Sequence, residues 1–307
     1  MDVSIVIVSY NGREYLRRCL ASIDEHTRGI AYEVIVVDNA SQDGAPEMVA
    51  AEFPQVTQVR RSTNAGFAAG VNEGIARARG EVLLLLNPDS LVASNALPPM
   101  LAYLRAHDDI GILAPKLLDT DGALQLSCRA FPSFAAALFN RYSLATKLFR
   151  NNRLSRRYLM TDFDHSHIAD VDWVSGACWL LPRRAYDVIG PLDERYFWSI
   201  EDVDYCQRTH QAGLRVVYFP DATVVHHIGR SAAALPARAI VARHRGMWRY
   251  YRSYLRPQAP VARQMADAAV LTGIALRAGA QMAVQCVRQT LRLGKSHLEE
   301  SVAVRPL

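Results

Sequence analysis

Across its 307 residues the chain carries only five cysteines, Cys19, Cys128, Cys178, Cys206 and Cys286, an odd number with no CxxC spacing. That excludes a disulfide framework and a cysteine metal finger, and it fits a reducing cytoplasm. The opening MDVSIVIVSYNG lacks the basic start, the apolar run and the small-residue cleavage site of a secretion signal, and reads as a strand. Long apolar runs are scarce as well. The most apolar late region, Ala268 to Val287, is broken by Arg277, so neither half reaches the roughly 18 residues that a membrane span needs. The first strand is followed by SYNGREYL and not by a GxGxxG turn, which weighs against a nicotinamide-dependent dehydrogenase. No internal repeat or low-complexity segment occurs. Acidic residues are missing between Asp121 and Asp162, where Arg129, Arg141, Lys147, Arg150, Arg153, Arg156 and Arg157 accumulate. That stretch is expected to attract an anion.

What is present suits one large α/β core with a helical appendage: 50% of residues are hydrophobic, 21% are charged and the net charge is +5. The first hundred or so residues alternate β-branched runs with helical patterns, which predicts βαβ units and a mainly parallel sheet. Strands are expected at Val3 to Ser9, Glu33 to Val37, Val56 to Arg60 and Val82 to Leu86. Helices are expected between them, after Ser9, near Pro46 to Phe53, and from Ala68 to Arg79. VLLLL has no polar face, so its strand must be central. Farther on, Ile110 to Ala114, Ala123 to Cys128, WVSGACWLL and Leu214 to Phe219 read as strands. Phe131 to Leu159 reads as an amphipathic helix, and the chain beyond Ser231 is helical.

Ligands of open parallel sheets bind beyond the carboxyl ends of the strands, and polar residues gather at those ends here. Ser9, Tyr10 and Asn11 follow the first strand and can flank a nucleotide base. Asp38 ends the second, where its carboxylate either accepts the N3 proton of a pyrimidine or caps a loop. Asn64 and Gly66 read as a turn in which glycine permits close backbone approach to a ligand. Asn87-Pro88-Asp89 after the buried strand offers Asp89 to a hard divalent cation bridging two phosphates, or an Asp-capped turn. His226, or its neighbour His227, is a candidate second metal ligand. Transfer to a hydroxyl needs a general base, and FWSIEDVDYCQR supplies Glu201, Asp202 and Asp204. On a helix Glu201 and Asp204 share a face, and one acid can pair with Arg208 while another takes a proton.

Taken in order from residue 3 to 231, the motifs SIVIVSYNGREYLRRCLASI, EVIVVDNASQDG, NAGFAAGVNEGI, LLLLNPD, SGACWLLPRRAYDVIGPLDERYFWSIEDVDYCQR and PDATVVHHIGRS resemble family 2 glycosyltransferases, within them the bacterial rhamnosyltransferase-like branch. The resemblance implies a GT-A fold, a Rossmann-like mainly parallel sheet, over residues 1–231. A nucleotide-sugar half would span 1–108 and an acceptor half 109–231, with a basic insert at 131–160 and a helical tail at 232–307. It further implies Asp38 at the base, Asp89 and His226 as metal ligands for Mg2+ or Mn2+, and Asp202 as general base, with Glu201 beside it. Trp179, within SGACWLL, joins the candidate nucleotide-sugar contacts. Asn87 departs from the DxD pattern and leaves one acidic ligand there. The implied reaction is inverting transfer, in cell-envelope polysaccharide biosynthesis, from dTDP-L-rhamnose or a UDP-sugar to a glycan or polyprenyl-diphosphate-linked acceptor. No nucleic-acid partner is implied. The competing reading is a non-catalytic sugar-nucleotide or polysaccharide-binding protein, against which the retained Asp202 speaks.

In the tail, Arg245, Arg249, Arg252 and Arg256 recur at helical spacing opposite Met247, Trp248, Tyr251 and Leu255. Such a helix is expected either to lie at an anionic membrane surface or to dock on the catalytic domain with a solvated basic face.

Overall fold

Strand β1 (Val3–Ser9) is buried at every position, which requires a partner on each edge and a layer on each face. The computed structural model, which describes residues 1–93, 95–133, 153–227 and 236–303, supplies both. Strand β2 (Tyr32–Asp38) runs parallel to β1 from Val3 opposite Tyr32 to Ser9 opposite Asp38, so the two strands end together. Strand β3 (Thr57–Arg60) extends that edge, and β4 (Val82–Leu86) lies on the other side of β1. All five residues of β4 are buried, and it is an interior strand of the sheet. Then come β5 (Ser90–Val92), β6 (Ile110–Leu118), β7 (Cys128–Arg129), β8 (Ala169–Asp170), β9 (Trp173–Val174), β10 (Cys178–Pro182) and β11 (Arg215–His226). The main sheet has the order β3-β2-β1-β4-β10-β6-β11-β5, with β8 also on β11, while β7 and β9 form a separate ribbon.

The β1–β4 half is parallel. Strand β10 enters antiparallel between β4 and β6, so the later part of the chain completes the same sheet. Helix Arg13–His26 buries Leu16, Cys19, Leu20 and Ile23 at helical spacing. Helix Phe67–Ile75 lies close against β1: a Cβ added at Gly70 would stand 2.6 Å from Val8 Cγ1. That approach draws the loop before the helix toward the ends of β1 and β2.

Several elements differ from the sequence reading. WVSGACWLL is two strands in two sheets, because the chain turns at Ser175 to Ala177. Ala123 to Cys128 makes one bridge, Leu118 to Leu124, and the two-residue β7 in place of a full strand. The helix expected from Ala68 to Arg79 ends at Ile75. His226 does not follow a separate turn: it closes a single 12-residue strand, whose pairing with β6 slips between Phe219 and Thr223 around Pro220, a residue with no N–H to give. Of the helix expected at Phe131 to Leu159, Arg153–Leu159 is helical and 131–133 is not. Residues 134–152 lie outside the described residues.

The chain divides into two compact units, Met1–Ser231 and Ala232–Leu307. In the second, helix Pro236–Tyr250 runs into a π-helical turn, Tyr251–Leu255, followed by the long helix Pro260–Ala303. The expected four-arginine face is not continuous. The π turn changes the helical register after Arg249, and Asp267 of the long helix binds Arg256 and accepts the Tyr251 hydroxyl at 2.9 Å. Tyr251 is buried by that arrangement. Among the described residues no helix is long and apolar enough to cross a membrane.

Candidate functional site

The parallel register of β1 and β2 sets Ser9 beside Asp38 at the strand ends. Asp38 Oδ2 accepts from the Ser41 N–H at 3.0 Å, a loop-capping bond, while Oδ1 stays buried without a hydrogen-bond partner. Ser9 Oγ and Asn39 Oδ1 are buried and partnerless as well. Three such atoms at one strand end form a polar patch that a ligand with its own donors can satisfy. Asn11, at φ +49, ties the two loops together: its N–H donates to Ser41 Oγ at 2.9 Å and its side-chain oxygen accepts from Gln42 N at 2.8 Å. Tyr10 is half-buried at the same rim.

From this patch a chain of hydrogen bonds leads to the acidic helix. Asn39 Nδ2 donates to the Gly66 carbonyl at 3.0 Å, and Asn64 Oδ1 accepts the Gly66 N–H at 3.0 Å. Asn64 thus shapes the turn. Gly66 has φ +98, and an added Cβ would sit 2.9 Å from Phe197 Cα. Only glycine allows this backbone crossing. The next N–H, of Phe67, donates to the Phe197 carbonyl at 3.0 Å. Two and three residues farther on, Ser199 (φ +68) and Ile200 (φ +78) are consecutive left-handed residues, a conformation that a β-branched side chain resists. Helix Glu201–Gln211 starts there.

The three acids of this helix have different surroundings. Asp204 accepts from the Tyr196 hydroxyl at 3.2 Å and from Arg208 Nε at 3.0 Å, and is held as a structural group. Asp202 Oδ1 accepts the Val203 N–H at 2.9 Å, and the Gly176 N–H also donates to it. Burial pushes Asp202 upward, against those two N–H groups and the positive charge of Arg129. Glu201 Oε2 is buried without a hydrogen-bond partner, and burial together with neighbouring Asp202 pushes the carboxyl up to about 8.

Beyond Gly176, the Ala177 carbonyl accepts the Asn87 N–H at 2.9 Å, which places Asn87-Pro88-Asp89 next to the Asp202 turn. His226, at the end of β11, brings Nε2 to 3.4 Å from Asp89 Oδ1. His227 is placed differently, its backbone N–H on the Asp89 carbonyl and its ring edge-on to Tyr15. The tautomer of His226 follows from Gln125. The amide nitrogen of Gln125 faces three acceptors, Leu118 O, Asp119 Oδ1 and His226 O, so its oxygen, 3.0 Å from His226 Nδ1, accepts a proton from that nitrogen. Nε2 then turns a lone pair toward the Asp89 carboxylate, a pairing suited to a shared cation. Among the described residues no group of three or more His, Cys, Asp or Glu could hold a metal ion. Two protein ligands, completed by phosphate oxygens and water, match the habits of a hard divalent cation.

One candidate contact is placed elsewhere. Trp179 is 2% exposed, its indole N–H donates to the Ser175 carbonyl at 2.9 Å, and its ring stacks on Tyr205. It supports the Asp202 helix from beneath and presents no surface to a sugar. Asn39, which follows the second strand among the polar strand-end residues, joins this network, and Gly176, Gln125 and the Ser199–Ile200 turn border the candidate site without having been singled out in the sequence. Gln125 carries no motif signal at all. Ser199 and Ile200 lie within the acidic motif, but nothing in their identity announces a positive φ.

The family model described as Glycosyl transferase family 2 matches residues 4–160. The chain is 30% identical over 256 residues to an N-acetylglucosaminyl-diphospho-decaprenol L-rhamnosyltransferase of Mycobacterium tuberculosis, covering 80% of this chain and 82% of that one. Among solved structures, it resembles a mannosyltransferase of Pyrobaculum calidifontis in complex with GDP-Man and Mn2+, with TM-score 0.56, 18% identity, and 95% and 80% coverage. It also resembles GalNAc-T7 with UDP, GalNAc and Mn2+, with TM-score 0.56 and 20% identity, covering 74% of this chain and 44% of that chain.

Proposed function

The chain belongs to glycosyl transferase family 2, and from that premise we propose that it transfers L-rhamnose from dTDP-L-rhamnose to a hydroxyl of a polyprenyl-diphosphate-linked sugar, with inversion. The observation that carries this reading is the continuous run of contacts from Asp38 through Asn39, Gly66 and Phe197 to the Asp202 helix, and from Gly176 and Ala177 to Asn87, Asp89 and His226. That run of contacts supports reading Asp38, the Asp89–His226 pair and Asp202 as parts of one site. The lipid-linked acceptor and the rhamnosyl donor rest on the likeness to the mycobacterial rhamnosyltransferase.

Asp38 and Ser9 hold the base, and Tyr10 flanks it. Asp89 and His226 would hold a divalent cation, Mg2+ or Mn2+, whose chemistry is to offset negative charge on the diphosphate. Asp202 accepts the proton of the acceptor hydroxyl as its oxygen bonds to C1 of the sugar, while the C1–O bond to phosphate breaks and the nucleoside diphosphate leaves with the electron pair. Burial and the neighbouring Asp202 push the Glu201 carboxyl up to about 8, so the pair favours carrying a single negative charge between them. Membrane contact is part of the proposal: the long helix exposes Val261, Met265 and Leu276 at 71%, 70% and 71%, on one face.

The test joins binding to turnover. With Mg2+ or Mn2+, dTDP-L-rhamnose is expected to raise Tm more than UDP-sugars do. Asp202→Asn is expected to keep that shift while transfer to an N-acetylglucosaminyl-diphosphate lipid falls by about a hundredfold or more. A larger shift with a UDP-hexose would replace the donor, and equal loss of donor binding and transfer in Asp202→Asn would remove Asp202 as the base.

A further inference from the structure

Arg129 is a half-buried arginine with little to neutralise it. It stands on β7 opposite Trp173, its Cζ 5.4 Å from the centre of that ring. One terminal nitrogen donates to the Leu126 carbonyl at 3.3 Å, and Nε is buried without a hydrogen-bond partner. Helix Arg153–Leu159 packs on the same strand, and the Tyr158 carbonyl accepts the Ala130 N–H at 3.1 Å. Arg153 and Arg157, four residues apart on one helix face, are exposed. Arg156 points to Asp162 at 3.6 Å, but among the described residues no carboxylate lies within ion-pair distance of Arg129, Arg153 or Arg157.

This basic group adjoins the reaction centre. The Ser127 carbonyl, on the segment entering β7, accepts the Ser175 N–H at 3.0 Å, and the following residue, Gly176, donates to Asp202. The charge of Arg129 acts on Asp202 itself, where it favours the ionised form. An acceptor whose hydroxyl reaches Asp202 can therefore present an anionic group to Arg129. A guanidinium on a short ribbon, over an indole and with no carboxylate at ion-pair distance among the described residues, is a preorganised fork for phosphate oxygens. The place proposed for the nucleotide diphosphate, at Asp89 and His226, is made of other residues.

We propose that Arg129, with Arg153 and Arg157, forms a second anion subsite that takes the diphosphate of the acceptor beside the base. The inference rests on the lipid-diphosphate acceptor described above, and it gives the missing acidic residues of this stretch a purpose. An acidic side chain there would close on Arg129 and block the phosphate.

The experiment separates subsite from acceptor. Farnesyl diphosphate is titrated into the full chain saturated with dTDP, so that the donor pocket is filled, using wild type, Arg129→Gln and the surface double variant Arg153→Gln/Arg157→Gln. Wild type is expected to bind, and each variant to bind about tenfold more weakly, with Tm of the double variant unchanged. In turnover, Arg129→Gln is expected to raise KM for the N-acetylglucosaminyl-diphosphate lipid by a larger factor than it lowers kcat. No binding by wild type, or equal binding by wild type and both variants, overturns the subsite. A shifted acid limb of the pH–rate profile with unchanged farnesyl diphosphate affinity also overturns it, since Arg129 would then only tune Asp202. If wild type binds the probe through Arg129 yet transfers nothing to the diphosphate lipid, the acceptor reading fails and the subsite stands.

Discussion

Glu201 shows how one residue's surroundings set its chemistry. Its carboxyl is pushed up to about 8 from an ordinary value of 4.5, because ionisation would place a second negative charge next to Asp202 in a buried position. The folded state therefore holds this proton more tightly than the unfolded chain does. The stability it contributes is full below the ordinary carboxylate range and is lost as pH rises through about 8. Scanning Tm from pH 5 to 9 should show wild type declining across that window and Glu201→Gln declining less; parallel curves would mean that Glu201 ionises freely. The acidic motif made Glu201, Asp202 and Asp204 legible as candidates together. The pairing of Asp204 with Arg208 was legible from its spacing of four, whereas the settings of Glu201 and Asp202 were not, because they depend on burial and on Gly176, which reaches Asp202 only in the folded chain.

Among the elements, the turn before the acidic helix is tied to the Gly66 loop. Ser199 and Ile200 keep left-handed backbone that costs on the order of 1–3 kcal/mol each, and such strain persists only where neighbours enforce it. Phe67 N–H on the Phe197 carbonyl and the close crossing of Gly66 supply that enforcement. Gly66→Ala is expected to destabilise by about 1–3 kcal/mol through positive φ and collision with Phe197, and to lower kcat more than it weakens nucleotide binding. Nucleotide affinity falling in step with kcat would show that the turn serves the donor alone. Strands β1, β2 and β4 could be read from their apolar runs because each is buried on both faces. β7 and β9 could not, since two-residue strands carry no periodicity, and helix Phe67–Ile75 stops earlier than its pattern suggests.

At the scale of the molecule, the second unit combines an exposed apolar stripe on its long helix with a basic preceding segment, in which Arg245 of the helix and Arg252 of the π turn are exposed. The full chain is expected to float with vesicles containing phosphatidylglycerol, and Met265→Asp with Leu276→Asp to reduce the floated fraction severalfold by placing charge in the apolar stripe. Wild type remaining at the bottom of the gradient would dismiss the membrane contact. The sequence by itself determined the α/β class, the family resemblance and the residues at the ends of the first strands, because local periodicity and contiguous motifs encode them. Only the tertiary structure decided that β10 enters between β4 and β6, that His226 and not His227 faces Asp89, that Trp179 is buried, and that Arg129 stands near Asp202. These depend on contacts between segments far apart in the chain, whose geometry is set by packing of the whole and leaves no local signature.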